Sequence, residues 1–91
     1  MRILLAEDTA LLREGLAGLL RAAGHEVAAV EDATALVTAA SSPEAPDLIV
    51  SDVRMPPTMT DDGLAAVHRL RETAQQDGRV LPAVMLSQYL A

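Results

Sequence analysis

The stretch Asp47-Leu48-Ile49-Val50-Ser51-Asp52 sets an aliphatic run between two carboxylates, with a hydroxyl just before the second. A short apolar run bounded in this way reads as a buried strand. The same shape recurs upstream at Ile3-Leu4-Leu5-Ala6, which ends in Glu7-Asp8, and downstream at Val84-Met85-Leu86, which ends in Ser87. Segments of helical period lie between these runs. Strands alternating with helices predict an α/β fold with a parallel sheet covered on both faces. In such sheets the carboxyl ends of the strands share one edge, where sites form. Glu7, Asp8, Asp52 and Ser87 are therefore expected together. Three carboxylates and a hydroxyl at one edge suggest a divalent cation and a phosphoryl group.

The order of elements follows from periodicity and punctuation. Arg2 to Ala6 is the first expected strand. Ala10 to Ala23 is an expected helix whose Leu12, Leu16, Leu19 and Ala23 make one apolar face. Asp8 or Thr9 can cap its start, and Gly24 can supply the left-handed residue after its end. His25 to Val30 reads as a second, weaker strand. Asp32 can cap a short helix from Ala33 to about Ala40. Ser41 to Pro46 is a loop with two prolines. After the third strand, Val53 to Asp61 is a loop containing Pro56-Pro57. Thr60, Asp61 and Asp62 offer a cap and first-turn charges for a helix carrying Leu64, Val67, Leu70 and Ala74. Arg79 to Leu86 is the expected fourth strand, with Pro82 near its start.

Composition narrows the class. The 91 residues suit one small domain, and 51% hydrophobic content excludes a disordered chain. Tyr89 is the sole aromatic residue, so Leu, Val, Ile, Ala and Met must build the core. There is no cysteine, hence no disulfide framework and no thiolate metal site. No apolar stretch approaches the ~20 residues of a membrane span, and the N-terminus lacks a signal-peptide pattern. A cytoplasmic domain without membrane contact is expected. The net charge of −6 argues against direct DNA binding by these residues. All seven basic residues are Arg.

The motifs ILLAED at 3–8, DLIVSDVRMPP at 47–57 and VMLS at 84–87 resemble the receiver (CheY-like) domain of two-component response regulators. The resemblance runs from Met1 almost to Ala91. It implies a flavodoxin-like, three-layer α/β/α fold with Asp52 as phosphoacceptor and a sensor histidine kinase as partner. It also implies Mg²⁺ (or Mn²⁺) held by Glu7, Asp8, Asp52 and the backbone carbonyl of Arg54. Ser87 matches the residue that turns toward the phosphoryl group, and Pro56 and Gly63 match loop positions of the family. The loop DVRMPPTMTDDGL at 52–64 resembles the LuxR/NarL-type subgroup, which often carries a DNA-binding output domain. Physical chemistry supports this assignment. A carboxylate can attack phosphorus to form an acyl phosphate, and charge neutralisation carries most of such catalysis. Two like charges about 4 Å apart repel by roughly 4 kcal/mol at an effective dielectric of about 20. Converging carboxylates therefore call for a cation or for protons.

Compared with the family pattern, the chain reads as a receiver truncated after strand four, without an output domain. Four strands and three helices are expected; the fifth strand and last helices are absent, and so is the family's Lys. The apolar edge of strand four would then favour a homo-oligomer. Taken singly, Asp8 reads equally as an N-cap, Glu7 as a solvated strand end and Asp52 as the start of a turn. His25 and His68 read as surface or partly packed histidines. Other functions remain open. An aspartate-nucleophile phosphatase or a TOPRIM-type nuclease would show Asp-x-Asp, where this chain has Asp52-Val53-Arg54. A flavodoxin-like flavin protein would want a phosphate-cradling loop where Glu7-Asp8 stands. A phosphorylation-independent pseudo-receiver fits the missing Lys.

Overall fold

The computed structural model describes residues 1–41, 45–56 and 58–86. The chain runs β1 (Arg2–Ala6), α1 (Ala10–Ala22), β2 (Glu26–Val30), α2 (Ala33–Ala40), β3 (Leu48–Asp52), α3 (Asp62–Gln76) and β4 (Ala83–Leu86). The strands form one sheet in the order β2-β1-β3-β4, and every pairing is parallel. The register sets Leu5 beside Val50 and Val50 beside Val84, and brings Asp52 level with Leu86. This is the expected flavodoxin-like α/β architecture, with four strands and three helices among the described residues.

Alternation along the strands separates the two faces. Leu4, Ala6 and Ile49 face α2 and α3, where they pack with Leu36, Met55, Ala66, Val67 and Ala74 into the main core. Ile3, Leu5 and Val50 alternate with them and face the opposite side, which α1 covers by packing on β1 and β2. The helices therefore lie on both sides of the sheet, as parallel strands require.

The helix ends obey local chemistry. Gly24 has φ of 97° and closes α1: its N–H donates to Arg21 at 2.9 Å, and His25 donates to Leu20 at 3.2 Å. Gly78 closes α3 with the same pair of bonds, to Gln75 and Ala74. This is the Schellman arrangement, which needs a left-handed residue that glycine adopts without steric cost. The Asp32 carboxylate caps α2 through the N–H of Ala35 at 2.7 Å. Asp47 ties the base of β3 to β1, accepting from the Arg2 N–H at 2.8 Å.

Three local expectations are corrected. The buried face of α1 is not the stripe through Leu12, Leu16, Leu19 and Ala23: Leu19 is 70% exposed, whereas Ala17 is buried. The inward stripe is Arg13, Leu16, Ala17 and Leu20. A charged residue and a small one hide that stripe from a count of large apolar residues. β4 starts at Ala83, not Arg79, because pairing begins only at the carbonyl of Pro82, which accepts from Ile49 at 3.0 Å. Leu81 precedes the strand and is buried in the main core, while Val80 points to solvent. At α3 Asp61 is the N-cap and Asp62 the first-turn acid, as expected, but the side-chain hydrogen bond of a cap is not formed. Asp62 instead turns back onto the preceding loop, accepting from the hydroxyl and the N–H of Thr58.

Candidate functional site

β1 and β3 are neighbours, so their C-terminal ends meet at one edge of the sheet. The structure brings Glu7, Asp8 and Asp52 together there, with one carboxylate oxygen from each lying within 4.8 Å of the others. Glu7 is fully buried, Asp52 is 5% exposed and Asp8 is half-buried. The N-cap of α1 is Thr9, not Asp8, so Asp8 has a place in the cluster and not in the cap.

Main-chain bonds fix Glu7 and the segment that follows Asp52. The Glu7 N–H donates to Val30 on β2 at 3.0 Å, and its carboxylate accepts from the Thr9 N–H at 3.1 Å. Beyond Asp52, Val53 donates to Leu86 at 3.0 Å, and the carbonyl of Val53 accepts from Gly63 at 3.0 Å. Gly63 allows the first turn of α3 to sit directly on this peptide, since a Cβ there would stand 1.9 Å from the Asp52 carbonyl oxygen. Pro56 lies in the same loop, and its carbonyl accepts from Ala33 at the start of α2 at 3.3 Å. Arg54 follows Asp52 by two positions with its side chain exposed. Ser87 lies outside the described residues, as does Tyr89.

The electrostatics follow from burial and proximity. Burial pushes the Glu7 carboxyl above the usual glutamate range, and the charges of Asp52 and Asp8 push it further; the Thr9 N–H acts in the opposite direction. Ionising all three groups together is costly without a compensating cation. A set of hard carboxylate oxygens, two of them shielded from water, fits an oxygen-seeking divalent cation such as Mg²⁺. The histidines stand apart from this cluster. His25 meets the N-terminal amine at 3.3 Å, and His68 pairs with Glu72 along α3.

Two supporting residues escaped sequence reasoning. Ser51 is fully buried and its hydroxyl donates to the Asp52 carbonyl at 3.0 Å. A hydroxyl inside an aliphatic strand was its one signal. Arg13 donates to the carbonyls of Glu7 and Asp8. Its signal was a charge on the inward stripe of α1, which only the helix's rotation reveals.

Known proteins resemble this chain in sequence and fold. The response regulator receiver domain family matches residues 3–90. The chain is 35% identical over 86 residues to the C4-dicarboxylate transport transcriptional regulatory protein DctD of Pseudomonas aeruginosa, covering 94% of this chain and 17% of that protein. It is 32% identical over 88 residues to the transcriptional regulatory protein PdtaR of Mycobacterium tuberculosis, covering 97% of this chain and 39% of that protein. The chain thus spans well under half the length of either relative. Among solved structures, the response regulator TrrA of Thermotoga maritima in complex with Mg²⁺-BeF superposes with a TM-score of 0.78 at 26% identity, over 97% of this chain and 70% of that one. TrrA has also been solved with the histidine kinase ThkA, and that structure superposes over 99% of this chain and 71% of that one with a TM-score of 0.80 at 23% identity. With strand order, acidic cluster and family match in agreement, the chain belongs to the response regulator receiver domain family of two-component systems.

Proposed function

We propose that the chain is a phosphoacceptor signalling module in which Asp52 receives a phosphoryl group. One observation carries this reading: in a chain of the receiver family, Glu7, Asp8 and Asp52 converge within 4.8 Å at the ends of β1 and β3. Those three carboxylates, with the carbonyl of Arg54, would hold Mg²⁺ or Mn²⁺. Bound there, the cation would neutralise charge on the phosphoryl oxygens. An Asp52 carboxylate oxygen forms the new bond to phosphorus as the bond to the donor's leaving atom breaks. Ser87 is the proposed contact for the bound group, and Pro56 and Gly63 shape the loop beside it. The donor would be a sensor histidine kinase, as the complex of ThkA with TrrA suggests. The output would be transcriptional, in keeping with the names of DctD and PdtaR. The loop at 52–64 resembles that of LuxR/NarL-type regulators, and the module would act in the cytoplasm. The module signals and is not itself an enzyme, and DNA contact would fall to an output domain.

Incubation with a small phosphodonor and Mg²⁺, followed by intact-mass measurement, tests this reading. A single phosphoryl adduct that Asp52→Ala abolishes supports it. Modification that persists in Asp52→Ala, or no adduct in the wild type, overturns it.

A further inference from the structure

Arg13 enters from the inward stripe of α1 and is half-buried. Its guanidinium reaches back across the turn between β1 and α1. Nη1 donates to the main-chain oxygen of Glu7 at 2.9 Å and to that of Asp8 at 3.4 Å. The bond to Glu7 is charge-assisted and of normal length, stronger than one between neutral groups; the one to Asp8 is longer and weaker. They use main-chain oxygens, so they take up no carboxylate oxygen of the cluster. The Arg13 N–H donates to Thr9 at 2.8 Å as the first bond of the helix, which does not depend on the side chain.

We propose that Arg13 is a positioning residue for the cation site: its guanidinium, bonded to the successive carbonyls of Glu7 and Asp8, fixes the peptide units from which both carboxylates project. The inference rests on the reading of Glu7, Asp8 and Asp52 as a cation site. Two effects of Arg13 on an incoming cation oppose each other. Its positive charge repels the cation, so by charge alone removing it would tighten binding. Its grip on the turn keeps Glu7 and Asp8 aimed at Asp52, so by positioning its removal weakens binding. Outer-shell groups that hold metal ligands in place typically contribute about 10–100-fold to affinity. That exceeds the repulsion expected from a half-exposed, solvent-screened charge, so positioning should win.

The test is a calorimetric titration of the chain with Mg²⁺, alongside thermal melts without Mg²⁺ that establish folding. Arg13→Met keeps the aliphatic stem and removes donors and charge together; its Mg²⁺ affinity should fall by about tenfold or more. Arg13→Lys keeps the charge, but its side chain ends one atom short of the Nη1 position that makes both bonds, and it should bind more weakly than wild type. Asp52→Asn is the control for the site itself. Affinity in Arg13→Met equal to or tighter than wild type, while Asp52→Asn weakens binding, overturns the proposal and leaves the cation site standing. A lowered melting temperature with unchanged affinity overturns it too, since that is a purely structural role. Should Arg13→Met fail to fold, Arg13→Lys decides: affinity matching wild type refutes positioning. Failure of wild type itself to bind Mg²⁺ overturns the cation site and this inference together.

Discussion

Gly63 abuts Asp52 so closely that a Cβ on Gly63 would overlap the Asp52 carbonyl oxygen, at 1.9 Å. The start of α3 therefore acts as a stop behind the residue at the centre of the site. The overlapped atom is backbone, so it cannot swing aside as a flexible side chain would. Gly63→Ala must move either the first turn of α3 or the Asp52 peptide. Alanine would ordinarily favour the helix by about 1 kcal/mol, but forced displacement in a packed region costs typically about 1–3 kcal/mol. Urea denaturation should show net destabilisation, and Mg²⁺ titration should show weaker binding as Asp52 shifts. A variant as stable as wild type with unchanged affinity would mean the contact relaxes freely.

Glu7 gives the ion-free chain a pH dependence of definite sign. Burial and the charges of Asp52 and Asp8 raise its pKa, so the folded chain holds this proton more tightly than the unfolded chain. Its stabilising contribution is fully present below the ordinary glutamate range and is lost as pH rises through the raised folded value. The Asp62 carboxyl is lowered, chiefly by its bond from the Thr58 hydroxyl, and acts oppositely, losing its contribution as pH falls. Comparing Glu7→Gln with wild type isolates the first effect. Without Mg²⁺ at pH 7–8, Glu7→Gln should melt higher than wild type, and the difference should shrink toward low pH. With Mg²⁺ the order should narrow or invert, because a ligand at a hundred times its Kd adds about 2.7 kcal/mol to whichever chain binds it. A higher melt for wild type without Mg²⁺ would show that the three charges are already compensated.

How legible the site was depends on what each residue does. Glu7, Asp8 and Asp52 were readable because each closes an apolar run, and parallel strands carry such ends to one edge. Gly24 was readable as a helix stop because its conformation has a local cause. The inward face of α1 was not, because Arg13 and Ala17 carry no large apolar signal and the helix's rotation is set by tertiary contacts. The start of β4 was missed because Val80 and Leu81 look like strand residues, although one is exposed and the other turns into the core ahead of the strand. Pattern reports which residues prefer burial; which of them pair is decided by the neighbouring strand.

Ser51 illustrates a polar group retained inside the sheet. Its hydroxyl is fully buried and donates to the Asp52 carbonyl at 3.0 Å. Ser51→Ala removes this bond and should cost about 0.5–1.5 kcal/mol, the usual net value of a hydrogen bond. Ser51→Val should cost more, because two extra methyl groups must fit beside Ala6 and Met85, its partners in register. Chemical denaturation of both variants checks the order, and a Val variant more stable than the Ala variant would show unfilled space at this position.

The edge of β4 makes the last prediction. Among the described residues β4 pairs only with β3, leaving its outer side open. The strand is short, Ala83–Leu86, and contains no charged residue. Val84 is 47% exposed, and Leu11 and Leu19 of α1 are 85% and 70% exposed. Open apolar edges pair readily with other chains, and exposed apolar patches find partners. A two-fold arrangement would let each copy cover the other's edge with the same surface. We expect the 91-residue chain to self-associate reversibly, with a scattering mass that rises with concentration. Val84→Lys sets a charge on that edge at a partly exposed position and should shift the chain toward monomer with little loss of fold, since edge charges discourage pairing. Leu19→Lys, on the exposed side of α1, separates the two surfaces. If Leu19→Lys alone dissociates the assembly, the helix face and not the strand edge holds it together. A wild-type chain that scatters as a monomer at every concentration would show that the edge of β4 is protected.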